Sequence, residues 1–295
     1  MRARSGRRGL AALAVALASG AAARAQLLTP NTTIVVPPAG HARVETEYSL
    51  FAADSFVDLD GHAQRFPGSL DFALAVLRAS YSPWRHVAVG IELPYRRSTF
   101  DEPGIEASFV AKGVPGVGFF VDWSPGGDQP HRWRPVVRFE YFRAYTETDQ
   151  ALTVSDGANR YAATLGLDRA ARPGTTGWRG GGTLQLIWGP PVEAERRFLE
   201  SRLQAEAGRP VLDVFAGELS AFGLVGYRSS TTARQEGMFF HDRTSQGAFG
   251  GVRLDWQPPA RLALVPGVRA SVVKDLQPRN ALSGWRTTIS LAVMF

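Results

Sequence analysis

From Trp285 to Phe295 the chain alternates strictly. Thr287, Ile289, Leu291, Val293 and Phe295 fall on one side of an extended strand, and Arg286, Thr288, Ser290, Ala292 and Met294 on the other. A strand with one predominantly apolar side must cover that side with core or with lipid. An aromatic residue stands at each end, Trp285 and Phe295, and a run of about ten residues is the length a tilted strand needs to cross a bilayer. An edge strand of a soluble sandwich can show the same alternation, so other parts of the chain have to decide.

The opposite end narrows the choice. Arg2, Arg4, Arg7 and Arg8 form a basic start, Gly9 to Ala23 a stretch of apolar and small residues, and Ala23-Arg24-Ala25 an A-x-A cleavage pattern before Gln26. Residues 1–25 are therefore read as a cleaved signal peptide. The leader holds five of the 33 basic residues and none of the acidic ones, so its removal takes the formal charge from +6 to +1. A nearly neutral mature chain gives no electrostatic case for nucleic acid as a partner. The absence of cysteine suits an envelope protein and excludes thiolate metal sites and cysteine nucleophiles.

Residues 26–40, with Pro30, Pro37 and Pro38, are expected to form an extended periplasmic lead-in. Alternation occupies 41–295. The first strand, His41 to Phe51, sets Ala42, Val44, Thr46, Tyr48 and Leu50 against Arg43, Glu45 and Glu47, and a polar loop through Asp54, Asp58, Asp60 and Gly61 follows. A second strand spans about Leu70 to Tyr81 with Arg78 inward, and Ser82 to Arg85 forms a tight turn. The third, His86 to Arg96, sets Val87, Val89, Ile91, Leu93 and Tyr95 against His86, Gly90, Glu92 and Arg96. Val117, Phe119, Val121 and Trp123 oppose Gly116, Gly118 and Asp122 in the fourth, and Val137, Phe139 and Tyr141 oppose Arg138 and Glu140 in the fifth.

Further strands carry Tyr161 to Leu167 and Trp178 to Trp188. Glu193 to Ala207 has helix-favouring composition but no broad helical stripe, and Leu199, Ser201, Leu203 and Ala205 alternate with Glu200, Arg202, Gln204 and Glu206. A turn is expected at Gly208 to Pro210, then a strand from Val211 to Arg228 with a bulge near Gly217. Val252, Leu254 and Trp256 oppose Arg253 and Asp255, a turn follows at Gln257 to Ala260, and Leu262, Leu264, Val268 and Val272 oppose Arg269. The pattern describes an all-β, up-and-down, transmembrane antiparallel β-barrel of about twelve strands, with both termini on the periplasmic side. Connections after even-numbered strands read as shorter than those after odd-numbered ones.

The ending Trp285 to Phe295 resembles the closing strand of bacterial outer-membrane barrels. That resemblance makes Phe295 an assembly signal and implies, as partners, outer-membrane lipid, the barrel assembly machinery and periplasmic chaperones. Tyr81-Ser-Pro-Trp-Arg-His-Val-Ala-Val-Gly-Ile-Glu-Leu-Pro-Tyr95, the Gly-rich strand from Gly113 to Trp123 and the same ending together resemble the outer-membrane family named after the meta-pathway of phenol degradation. The resemblance implies a porin-like barrel of the Gram-negative envelope, associated with transport of small, often aromatic or apolar compounds.

Catalytic patterns are missing. None of His41, His62, His86, His131 and His241 sits in H-E-x-x-H or in the His-x-Ser pattern of outer-membrane lipid hydrolases. Gly180-Gly181-Gly182 is not followed by Lys-Ser/Thr, and in a strand such residues let neighbouring backbones approach. No enzyme, cofactor or metal is expected. The candidate site is the lumen: Arg43, Glu45, Glu47, Arg78, Glu92, Arg96, Arg138, Glu140, Arg179, Glu200, Arg202, Glu206, Glu218, Arg253, Asp255, Arg269 and Arg286. The chain therefore reads as a channel or transporter-like barrel for an unidentified small solute. A structural barrel filled by these side chains is the alternative, and a lipid-modifying barrel enzyme the more distant one. If the wall parity is right, Gly90 should tolerate a polar replacement in a wet lumen. Deleting Phe295 should lower membrane insertion far more than a change near Asp101, read as folded protein in outer-membrane fractions; equal levels would make the ending incidental.

Overall fold

The computed structural model describes residues 34–58, 60–101, 109–125, 133–145, 159–169, 177–189, 198–215, 217–232, 243–257, 265–279 and 281–295. They form β1 (Ala42–Val57), β2 (Ala63–Trp84), β3 (Val87–Asp101), β4 (Phe109–Gly113), β5 (Gly116–Trp123), β6 (Arg134–Ala144), β7 (Arg160–Arg169), β8 (Arg179–Gly189), β9 (Phe198–Val214), β10 (Gly217–Thr232), β11 (Arg243–Gln257), β12 (Val265–Asp275) and β13 (Ala281–Met294). β4 and β5 both pair with β3, β4 along Arg96 to Phe100 and β5 along Val87 to Glu92. They are two pieces of one strand interrupted at Val114 and Pro115, where proline has no N–H to donate to the ladder. The barrel thus has twelve strands, each antiparallel to its neighbours, and β13 returns to β1 to close it.

The strands tilt. From Arg43 the register runs through Ser80, Gly90, Phe120, Glu140, Ala162 and Ile187 to Glu200, so a row that begins at the start of β1 arrives near the opposite end of the barrel on β9. The outer face is the apolar one: Val89, Ile91, Leu93, Phe119, Val121, Leu165, Leu203, Val225, Leu254 and Ile289 are all exposed. Aromatic residues border this band. Tyr81, Trp84, Trp123 and Phe295 are exposed at the end that carries the termini, and Tyr48, Tyr95, Tyr161, Trp188 and Trp285 toward the other. Tyr141, Tyr161 and Trp188 stand side by side on three strands, with ring centroids 5.1 and 6.0 Å apart. A soluble barrel would bury this face; one in a bilayer presents it to lipid between two aromatic girdles.

Several boundaries differ from the sequence reading, for local reasons. Asp54 lies within β1, which together with β2 extends well past the apolar band. The turn expected at Ser82 to Arg85 sits at Arg85 and His86 instead, and His86, with φ 68°, belongs to the turn and not to the inward face of β3. Gly208 to Pro210 do not turn the chain. β9 continues to Val214, the reversal is at Phe215 (φ 51°), and the change of parity near Gly217 marks this hairpin. The bulge is at Val211, skipped where Leu219 pairs with Leu212 and Ser220 with Pro210. Trp256 Nε1 donates to the Val214 carbonyl at 2.9 Å and holds the turn.

The expected contrast in loop length is weak, because the segments 124–133 and 170–178 at the terminal end are no shorter than many at the other. The signal peptide, the first part of the lead-in, His131, His241, Gly174, the Asp149 loop up to 158, residues 193–197, the turn from 258 to 260, and Leu262 with Leu264 lie outside the described residues. Of the lead-in, Ile34 and Pro37 are buried, and a turn closed by His41 N to Pro38 O at 3.0 Å, with Gly40 at φ 82°, reverses the chain just before β1.

Gly90 is a further correction. A Cβ there would come within 2.3 Å of the Phe120 ring and 2.6 Å of the Ala79 carbonyl, so the position is closed by packing and not open to water. Arg at Val89 or Ile91 should destabilise the inserted barrel by about 2–4 kcal/mol, and Gly90→Ser should also destabilise it. Urea titration of the folded protein in vesicles checks both; a neutral Gly90→Ser would show that Phe120 yields.

Candidate functional site

Opposite the lipid-facing residues, the inner face carries charge. Glu45, Glu47, Arg78, Glu92, Arg96, Arg138, Glu200, Arg202, Arg253 and Asp255 are buried, while Arg43, Glu140, Arg179, Glu206, Glu218, Arg269 and Arg286 are half-buried. Alternation explains the placement, since each is an even number of residues from an inward neighbour on its own strand. Isolated charges would be costly here, so their partners matter.

Arg78 on β2 is the hub of one group. Its Nε donates to Glu92 at 2.7 Å on β3, and its Nη1 lies 3.0 Å from Glu47 and 3.7 Å from Glu45 on β1. Glu45 is also 2.7 Å from Arg43. Beside this group, Arg138 grips Asp122 with two hydrogen bonds of 2.6 and 2.8 Å, the fork geometry that distinguishes arginine from lysine. Glu140 lies 3.7 Å from Arg138 and accepts a bond from Gln185 at 3.3 Å.

A second group occupies β8 to β12. Arg253 bonds Glu206 and lies 2.9 Å from Asp255, which Arg269 approaches at 3.1 Å. Arg202 bonds Glu200 on its own strand. Arg179 bonds Glu218 and donates to Ser220 at 3.1 Å. Each of these pairs joins a residue to its own strand or to one at most two places away, so the pairs run around the wall. Aromatic rings under the guanidiniums serve as a floor: Arg138 lies 4.5 Å from the Phe120 centroid, Arg253 4.2 Å from Phe222 and Arg96 5.4 Å from Phe72. Arg96 also donates to Ser98 at 3.1 Å.

Some interior residues were not among the candidates. Asp122 faces inward by parity, yet its importance comes from Arg138 on the next strand. Arg228 and Asp275, 3.2 Å apart, lie near strand ends where the alternation fades into polar sequence. Arg160 is buried at the start of β7, one residue before the expected strand; counting back from outward Tyr161 would have found it. Arg134 and Asp168 pair at 2.7 Å on β6 and β7. Elsewhere, the ligand atoms of Asp58, Asp60 and His62 come within 4.8 Å of one another in the exposed β1–β2 turn, but Asp58 is engaged by the His62 backbone N–H at 2.8 Å.

Gly180 and Gly181 meet the expectation of close approach, since a Cβ at either would come within 2.9 Å of a carbonyl on a neighbouring strand. Because Arg78 compensates three carboxylates at once, Arg78→Ala should destabilise the barrel by about 3–5 kcal/mol. A double-mutant cycle with Glu92→Gln should recover part of that loss; additive effects would show that the two do not interact.

No protein-family model matches this chain, and no curated protein matches it in sequence. Solved structures do match in fold. An outer membrane channel from Pseudomonas putida F1 superposes with a TM-score of 0.66 at 12% identity, over 92% of this chain and 100% of that one. The β domain of the Bordetella autotransporter BrkA gives 0.51 at 12% identity, over 86% and 99%. The fold is that of an outer-membrane β-barrel.

Proposed function

We propose that this barrel is a channel that lets small solutes cross the outer membrane through its interior. The observation that carries this reading is the direction of the ion pairs: Arg78, Arg138, Arg253 and Arg269 engage carboxylates on their own or nearby strands, so the pairs line the wall. Twelve strands about 4.8 Å apart and tilted by about 40° enclose a backbone ring of roughly 12 Å radius. Charges held flat against such a wall, over Phe120 and Phe222, act on whatever passes because the surroundings are of low dielectric.

The short turns at His86 and Phe215 then face the periplasm, with Phe295 at the same end as the signal read by the assembly machinery after periplasmic chaperones deliver the chain. The resemblance at Glu92-Leu-Pro-Tyr95 supports membership of the family named after the meta-pathway of phenol degradation, with small, often aromatic or apolar, compounds as its cargo.

The tightness of the interior favours a second reading. Arg96, Asp122 and Glu200 are each only 1% exposed, as in a barrel filled by its own side chains. Planar-bilayer recording separates the two. A channel shows discrete conductance, and Arg138→Ala or Arg253→Ala shifts its ion preference. Absence of conductance from correctly folded wild type, together with a destabilised Arg138→Ala, would overturn the channel in favour of the filled barrel.

A further inference from the structure

One interior cation stands apart from the pairs. Arg286 on β13 points inward and is half-buried, and among the described residues its guanidinium meets no carboxylate within ion-pair distance. Its close contact is the ring of Phe51, its register partner on β1, 5.6 Å from the centroid. The charges that bear on it most are Arg228, Asp275, Arg202 and Glu200. Both carboxylates of that set are already engaged, Asp275 by Arg228 at 3.2 Å and Glu200 by Arg202. Three guanidiniums therefore share two carboxylates, and the one in excess is Arg286.

A guanidinium remains protonated even in such a place, so an anion that enters the interior finds there a positive charge not already held by a carboxylate. Phe51 covers part of the guanidinium and restrains it, and a planar guanidinium so held still presents N–H donors in the fork that suits a carboxylate. The surroundings also indicate what else the ligand carries. Phe51 belongs to a buried apolar cluster with Leu70 and Phe72 of β2 and Leu282 of β13, and Phe51 and Phe72 have centroids 6.2 Å apart.

We propose that Arg286 is an anion-binding site inside the barrel, for a small organic carboxylate whose apolar body lies toward Phe51. The proposal rests on the channel reading, which supplies the route to the site. It adds that one class of cargo is charged and is held on the way through. Among inorganic anions and neutral aromatics, neither satisfies both features, the first lacking the apolar body and the second the charge.

The test uses the full-length mature protein in detergent and in bilayers, with benzoate as probe and benzyl alcohol as its neutral counterpart. Calorimetric titration should show benzoate binding to wild type, with Arg286→Gln weakening it about tenfold or more, Arg286→Lys weakening it less, and benzyl alcohol binding no better to wild type than to the variant. Because Arg286 has no carboxylate partner, Arg286→Gln strands no charge, and heat-modifiable migration confirms that it folds. Should it fail to fold, Phe51→Leu, expected to weaken benzoate several-fold, takes its place. In bilayers, benzoate should reduce the chloride current of wild type and not of Arg286→Gln. Equal benzoate affinity in wild type and variant overturns the site. Binding without any conductance keeps the site and overturns the channel.

Discussion

In the hydrocarbon of a bilayer no water is available to the backbone, so a chain of strands survives there only if its first and last edges find each other. Here they meet between β1 and β13, where Ala42 N donates to Phe295 O at 2.8 Å and Phe295 N returns the bond to Ala42 O at 3.0 Å. This closure makes an outward apolar face possible, because no edge is left to template aggregation. It also imposes the stagger that carries a row from Arg43 at one end of the barrel to Glu200 near the other. The interior therefore pairs residues that are distant in sequence and neighbours by height.

Once the apolar side chains face lipid, the interior inherits the charges, and the inversion relative to a soluble sandwich has an energetic consequence. Hydrophobic burial within the barrel is limited to patches such as Phe51, Phe72 and Phe100. The remaining space must be filled by groups that satisfy one another. Arginine suits the task because one guanidinium reaches several carboxylates, as Arg78 reaches Glu45, Glu47 and Glu92, and lies flat on an aromatic ring without losing its N–H edges. The same geometry that stabilises the wall leaves it charged toward the axis, which is why structure and permeation are properties of one set of residues. Arg286 shows the difference between the two roles: among the described residues it contacts the Phe51 ring and no acid.

Alternation of period two was enough to assign most side chains to a face, because in a strand the face depends only on parity. Val89, Ile91 and Leu93 outward, and Glu45, Glu47 and Arg138 inward, needed nothing more. Positions where the ladder is irregular were the ones misread. Gly208 and Pro210 carry the residue types of a turn, yet their strand continues because β8 and β10 flank Gly208 and β10 still pairs with Pro210. Gly90 looked like an open interior position, and only the Phe120 ring from a neighbouring strand closes it.

What the amino-acid sequence determined by itself is the class of object: antiparallel strands with a lipid-compatible face, a charged interior and no pattern for catalysis. Local periodicity dictates these, and periodicity is written in neighbouring residues. Which carboxylate each arginine meets was decided by tertiary structure alone. The stagger of the closed ring places Arg253 against Glu206 and Arg228 against Asp275, and leaves Arg286 against Phe51. Shear is a property of the whole ring, set when β13 meets β1, and no single strand contains it.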